Sequence, residues 1–145
     1  GGASRGVLES LLNLNPESIC IANRTASKAV SLAKGFSDLG KLSGIGLDQF
    51  GVQASGFDLI ISATSAGLAG EKIELPETIV QKGACAYDMI YRADPTPFMQ
   101  WANALGAQTS DGLGMLVGQA AESFKVWRGV APPTQRITTQ LREGL

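Results

Sequence analysis

Residues 57–64, Phe57-Asp58-Leu59-Ile60-Ile61-Ser62-Ala63-Thr64, form a nearly continuous apolar run stopped by the small polar loop Thr64-Ser65-Ala66-Gly67. A run of that length between turn signals reads as a central strand covered on both faces, and such strands belong to parallel sheets flanked by helices. The rest of the chain alternates in the same way. Residues 5–14 place Val7, Leu8, Leu11, Leu12 and Leu14 on a helical face that Pro16 ends. Residues 18–22 are a short apolar strand, and Thr25 or Ser27 caps a helix carrying Ala29, Val30, Leu32, Ala33 and Phe36 that fades by Gly40. A weaker strand follows over 41–47, then a helical turn over 47–50. Residues 84–91 give the next strand, 98–105 a helix, 107–109 a last short strand, and 112–127 a long apolar helix. Pro132-Pro133 opens a final amphipathic helix to about residue 143. Helices alternating with strands predict an α/β fold with a doubly wound parallel sheet.

Composition narrows the function. The 145 residues suit one domain, and 44% apolar against 17% charged residues, with net charge -1, argue against disorder and against a nucleic-acid surface. The 18 glycines follow no collagen period and mark turns. The chain has no histidine, which removes Ser-His-Asp and Cys-His catalysis and the common zinc sites together, so no metal site is expected. Cys20 and Cys85 lie in strand-like runs and read as reduced core residues. No stretch approaches the ~18 apolar residues of a membrane span and no signal peptide is visible, so a cytoplasmic protein is expected. An opening Gly1-Gly2-Ala3-Ser4 without Met suggests a processed chain, a cloned domain or a trimmed fragment.

Gly1-Gly2-Ala3-Ser4-Arg5-Gly6 leads directly into the first helix. Backbone N–H groups at a helix start face outward at the positive end of the dipole, and glycine lets a pyrophosphate approach without a Cβ in the way. In dinucleotide folds the second strand ends about 20 residues after such glycines, in an acid for the NAD ribose or beside an arginine for the NADP 2′-phosphate. Here that strand ends in Asn23-Arg24-Thr25, with Lys28 one turn into the next helix and no carboxylate. Arg24 can clasp a phosphate in two prongs and stack on adenine, Lys28 adds a point charge, and Asn23 and Thr25 add neutral hydrogen bonds. That chemistry selects NADP. Without the spacing, Arg24 would be a solvated loop arginine and Lys28 a solvated helix lysine.

Six segments together carry a family resemblance: Gly1 to Gly6, Asn23-Arg24-Thr25, Thr64-Ser65-Ala66-Gly67, Tyr87-Asp88-Met89-Ile90-Tyr91, Pro95-Thr96-Pro97-Phe98, and the run from Asp111-Gly112-Leu113-Gly114-Met115 to Gln119-Ala120. Their order and spacing resemble the carboxy-terminal, coenzyme-binding domain of the NADP-linked shikimate dehydrogenases. The resemblance implies a Rossmann-like, three-layer αβα fold and reversible hydride transfer between NADPH and 3-dehydroshikimate in aromatic amino-acid biosynthesis. It assigns Gly1, Gly2, Ala3 and Ser4 to the phosphate loop and Asn23, Arg24, Thr25 and Lys28 to the 2′-phosphate, Lys28 standing where arginine is more usual. It places Thr64 and Ser65 beside the ribose and nicotinamide, Met89 and Gly112 along the nicotinamide, and Tyr91 and Gln119 at the substrate. Read alone, Met89 is a strand residue, Tyr91 a half-buried aromatic and Gln119 a solvated helix residue.

The family's amino-terminal substrate domain, with its catalytic Lys and Asp, has no counterpart in these residues, and neither has the first, mid-sheet strand. No catalytic residue is therefore expected in this chain, which reads as part of a longer enzyme, inactive alone and with a gap between strands 2 and 4. The terminal segment 132–145 would pack on the missing domain, leaving Ile137 and Leu141 exposed. The expected partners are shikimate or 3-dehydroshikimate and the missing domain, with no nucleic acid and no membrane. Another two-domain reductase of this fold, such as a quinate/shikimate dehydrogenase, or a dinucleotide-sensing module without catalysis, is the alternative.

Overall fold

A computed structural model of the chain describes residues 1–52, 54, 56–64 and 74–145. Its elements run α1 (Gly2–Leu12), β1 (Ile19–Asn23), α2 (Ala26–Lys34), β2 (Leu42–Gly46), β3 (Phe57–Ser62), β4 (Val80–Asp88), α3 (Pro97–Ala104), β5 (Gln108–Ser110), α4 (Leu113–Arg128) and α5 (Thr134–Glu143). Helices and strands alternate as the periodicity requires, and the fold is mixed α/β with parallel strand pairing. The described strands form two sheets, β1-β2 and β3-β4-β5. The chain divides into two compact units, residues 1–58 with 74–82 and residues 59–73 with 83–145.

In the first unit β1 and β2 are parallel, with Ile19 opposite Leu42 and Asn23 opposite Gly46. Such a pair needs a crossover, and α2 provides it. Ala29 and Ala33 are buried on its inner face. The approach is close enough that a Cβ at Gly44 of β2 would overlap the Ala29–Val30 backbone. Leu8 and Leu12 bury the inner face of α1. A 3₁₀ turn over Leu47–Gln49 follows β2, as the sequence indicated. Phe50 and Phe57 then meet with ring centroids 5.7 Å apart.

The second unit is built on β4 and β5, parallel with Cys85 opposite Gln108 and Tyr87 opposite Ser110. Ala84, Ala86, Phe98, Ala102, Ala107, Leu113 and Val117 form its core. Phe98 stacks on Trp101 at 5.8 Å. Gly129, left-handed at φ 72, ends α4, and α5 returns to pack against it.

Several expectations shift. The helix of α1 begins at Gly2, three residues before the helical segment read from the sequence over 5–14. The strand expected over 84–91 ends at Asp88, whose carboxylate oxygen bonds the Ile90 N–H and turns the chain out of the ladder. Among the described residues β3 pairs with β4 in a sheet ordered β3-β4-β5. Leu59 is 44% exposed. Cys85 is exposed and Cys20 half-buried, so neither is the core residue expected. The period of 2 explains Cys85: Ala84, Ala86 and Asp88 turn inward, and the residue between the first two must turn outward. On α5, Leu141 is 45% exposed as foreseen, whereas Ile137 is partly covered.

Candidate functional site

The first unit assembles the dinucleotide-type features. Gly1 is the N-cap of α1 and no side chain caps it. Its carbonyl accepts from the Arg5 N–H at 3.1 Å, the first helical bond, so the N–H groups of Gly2, Ala3 and Ser4 precede the intrahelical ladder. A Cβ at Gly1 or Gly2 would meet nothing within 4 Å. The space over this helix start is open to a ligand.

Parallel pairing stops at Asn23, and the Asn23 side-chain oxygen accepts from the Thr25 N–H at 2.9 Å. This Asx turn delivers Thr25 to the N-cap of α2 and leaves Arg24 exposed at the carboxyl end of β1. Lys28, in the first turn of α2, lines an open cavity of about 330 Å³ with Gly1, Arg5, Ser27, Ser31 and Leu32. The glycine start and the α2 start therefore face one space. Arg24 is not among the residues lining it. Arg5, Ser27 and Ser31 do line it and were not foreseen.

The second unit brings a different group together. The Met89 N–H donates to the carbonyl of Ser62, the last residue of β3, at 2.9 Å. The Gly112 N–H donates to the carbonyl of Ile90 at 3.1 Å. A Cβ at Gly112 would overlap the Met89 carbonyl, which gives that glycine a steric reason. Met89 and Gly112 thus meet beyond the carboxyl ends of β4 and β5, where ligands lie in open α/β sheets. Thr64, two residues past Ser62, is exposed, and Tyr91 is 39% exposed. Gln119 is exposed on α4, its carbonyl accepting from the Ser123 hydroxyl at 3.0 Å. Ser65 lies outside the described residues.

Two polar clusters hold these backbones. Asp88 is fully buried and accepts from the Thr96 hydroxyl at 2.6 Å, and Thr96 in turn caps α3 by accepting from the Met99 N–H at 3.2 Å. The Arg142 guanidinium of α5 grips Asp111 with both prongs, at 2.7 and 2.6 Å. Asp111 also accepts from the Leu113 N–H at 3.2 Å, so the same carboxylate pins the start of α4. Hydrogen bonding to Asp111 pushes the Arg142 pKa up, while burial and the Asp111 charge push the Tyr87 phenol up. Asp88 and Thr96 stood within quoted motifs without a role; their spacing of eight residues carries no periodic signal. Arg142 lies 31 residues from Asp111, a pairing that only the tertiary fold reveals.

Among the described residues no three His, Cys, Asp or Glu groups could hold a metal ion, and no helix is long and apolar enough to cross a membrane. Comparison with known proteins agrees with the geometry. The family described as "Shikimate / quinate 5-dehydrogenase" matches residues 1–84, and the "Shikimate 5'-dehydrogenase C-terminal domain" matches 112–142. The chain is 52% identical to a shikimate dehydrogenase (NADP(+)) of Cellvibrio japonicus and 51% identical to one of Colwellia psychrerythraea. Each match covers 100% of the chain and 52% of the relative. The chain therefore spans about half the length of the curated relatives it matches. Shikimate 5-dehydrogenase of Thermus thermophilus, in complex with NADP(H) and shikimate, superposes with a TM-score of 0.82 at 30% identity over 100% of this chain and 52% of its own. An Ael1 enzyme from Pseudomonas putida superposes with a TM-score of 0.84 at 37% identity, over 97% of this chain and 51% of its own. These neighbours carry the Rossmann-like fold, and the chain belongs to the shikimate/quinate dehydrogenase family.

Proposed function

We propose that this chain is the NADP-binding part of a cytoplasmic shikimate dehydrogenase whose whole enzyme reduces 3-dehydroshikimate to shikimate. The observation that carries the reading is the carboxyl end of β1. It holds an exposed Arg24 on an Asx turn, Lys28 follows on α2, and no acid stands at Asn23, Arg24 or Thr25. An acid there would hold the free ribose hydroxyl of NAD and repel a 2′-phosphate, whereas two cations favour the phosphate.

Bound NADPH supplies a hydride to the carbonyl carbon, and the oxygen that becomes a hydroxyl takes a proton. The residues of this chain bind and orient. Gly1, Gly2, Ala3 and Ser4 present backbone N–H groups to the pyrophosphate, and Asn23, Arg24, Thr25 and Lys28 take the 2′-phosphate. Thr64, Ser65, Met89 and Gly112 border the ribose and nicotinamide. Tyr91 and Gln119 reach the substrate. The acid–base pair comes from an amino-terminal domain outside these residues, on which the terminal helix packs.

Titration calorimetry with NADPH and NADH tests this. NADPH should bind at least tenfold more tightly, one to two charge-assisted hydrogen bonds being worth ~1.5–3 kcal/mol each. Equal affinities would refute the reading. Turnover of 3-dehydroshikimate by the full-length parent with NADPH is expected, and none by these 145 residues alone.

A further inference from the structure

Arg5 belongs to none of the groups discussed above as cofactor ligands. It follows the glycine start, and it lines the 330 Å³ cavity together with Lys28, Ser27 and Ser31. Its guanidinium carbon sits 5.7 Å from the centroid of the Phe36 ring, just beyond the end of α2. Among the described residues neither Arg5 nor Lys28 forms an ion pair. Two cations and two hydroxyls around one open space, with no carboxylate in its lining, fit an oxyanion. The aromatic face limits the rotation of Arg5, so its fork is held ready rather than sweeping through solvent.

We propose that Arg5 brings a second guanidinium, beside that of Arg24, to the 2′-phosphate pocket. It reaches that pocket from α1 and supplies the two-pronged contact that an ammonium at Lys28 cannot make. This deepens the NADP reading and rests on it. A phosphomonoester carries close to two negative charges at neutral pH and three acceptor oxygens, which is the charge and valence that a fork, a point charge and two hydroxyls can meet. The pyrophosphate is a different target, common to NADPH and NADH, so the two dinucleotides separate the possibilities.

The experiment is calorimetric titration of the chain and its Arg5→Ala, Arg5→Lys and Phe36→Leu variants with NADPH, NADH and adenosine 2′,5′-bisphosphate. Circular dichroism confirms that each variant is folded. Arg5→Ala should weaken NADPH and the bisphosphate by about tenfold or more while leaving NADH within about twofold. Arg5→Lys should recover only part of the loss, because charge returns without the fork. Phe36→Leu should produce a smaller loss with the same selectivity, and it stands in should Arg5→Ala fail to fold. An Arg5→Ala variant that binds NADPH like the parent chain, or that loses NADPH and NADH equally, overturns the proposal. A parent chain that binds NADPH and NADH alike overturns the NADP reading itself, and this proposal with it. A parent that prefers NADPH while Arg5→Ala keeps that preference overturns the role of Arg5 alone.

Discussion

Gly112→Ala is the sharpest test of the geometry beyond the ends of β4 and β5. The added methyl would overlap the Met89 carbonyl oxygen and lie 2.6 Å from the carbonyl carbon, both of them backbone atoms. A flexible side chain could swing aside; this strand end cannot do so freely. Met89 is tied to Ser62 by its N–H, Ile90 accepts from Gly112 itself, and Ile90 donates to the buried Asp88. Relief therefore breaks one or two of those bonds, at ~1 kcal/mol each, on top of the ~1–3 kcal/mol typical of overpacking. A loss of about 2–4 kcal/mol is expected. Gly118→Ala on α4 is the control: a Cβ there meets nothing within 4 Å, and alanine in a helix interior is favoured over glycine by ~0.8–1 kcal/mol. The chain's two tryptophans, Trp101 and Trp127, lie in the second unit. Their fluorescence during urea unfolding reports on that unit, with midpoints compared at constant m. A Gly112→Ala loss below about 0.5 kcal/mol would show that the Met89 backbone yields easily, and the steric account would fail.

Thr96→Val removes the hydroxyl donor from the buried Asp88 carboxyl and the cap of α3, and should cost about 2–3 kcal/mol by urea unfolding; a variant as stable as the parent chain would mean the carboxyl finds another donor. Arg142→Ala removes a pair in which the arginine is 44% exposed, so the loss should be near 1 kcal/mol and shrink in salt, and a salt-independent loss would point to lost packing instead. Alkaline pH should destabilise the fold: Cys20 and Tyr87 sit above their usual 9.0 and 10.0, so the native state keeps protons that the unfolded chain releases. Their contribution is complete below about pH 9 and is lost as pH rises through the folded values, so Tyr87→Phe with Cys20→Ala should flatten that limb. Arg24→Ala should cost ~1.5–3 kcal/mol in NADPH binding and almost nothing in NADH binding. In the full-length parent, Gln119→Ala should lower kcat/KM roughly tenfold with NADPH affinity unchanged, whereas a purely solvated glutamine would leave both near wild type.

Element order was legible because periodicity is a local property. The run that became β1 is short and apolar, and the faces of α1, α2 and α4 repeat at helical spacing. What the sequence misjudged depends on neighbours. Cys85 read as core because its run is apolar, although alternation turns every second residue outward. In the site, Asn23, Arg24 and Lys28 were legible from spacing, since strand end, turn and helix start follow one another along the chain. Arg5 escaped because its place in the cavity is set by where α1 lies against α2, and Arg142 because its partner lies in another element.

Four of the glycines form two contrasting pairs, and the contrast separates folding from binding. At Gly44 and Gly112 a methyl group would strike backbone of this same chain, Ala29–Val30 in one case and Met89 in the other. Packing alone accounts for those residues, without any ligand. At Gly1 and Gly2 a Cβ would meet nothing within 4 Å among these 145 residues. Conformational entropy makes such glycines costly in a first helical turn unless something gains from the missing side chain. What lies in front of them is a helix start with N–H groups before the hydrogen-bonded ladder. A phosphate gains from that arrangement in two ways, by close backbone approach and by the positive end of the helix dipole, and neither contributes to folding. Gly2→Ala should therefore leave the urea midpoint unchanged or raise it slightly while weakening NADPH and NADH together, because both carry the pyrophosphate that the open space admits. A stability loss without a binding loss would place Gly2 with Gly44 and Gly112 and remove the phosphate loop from the site.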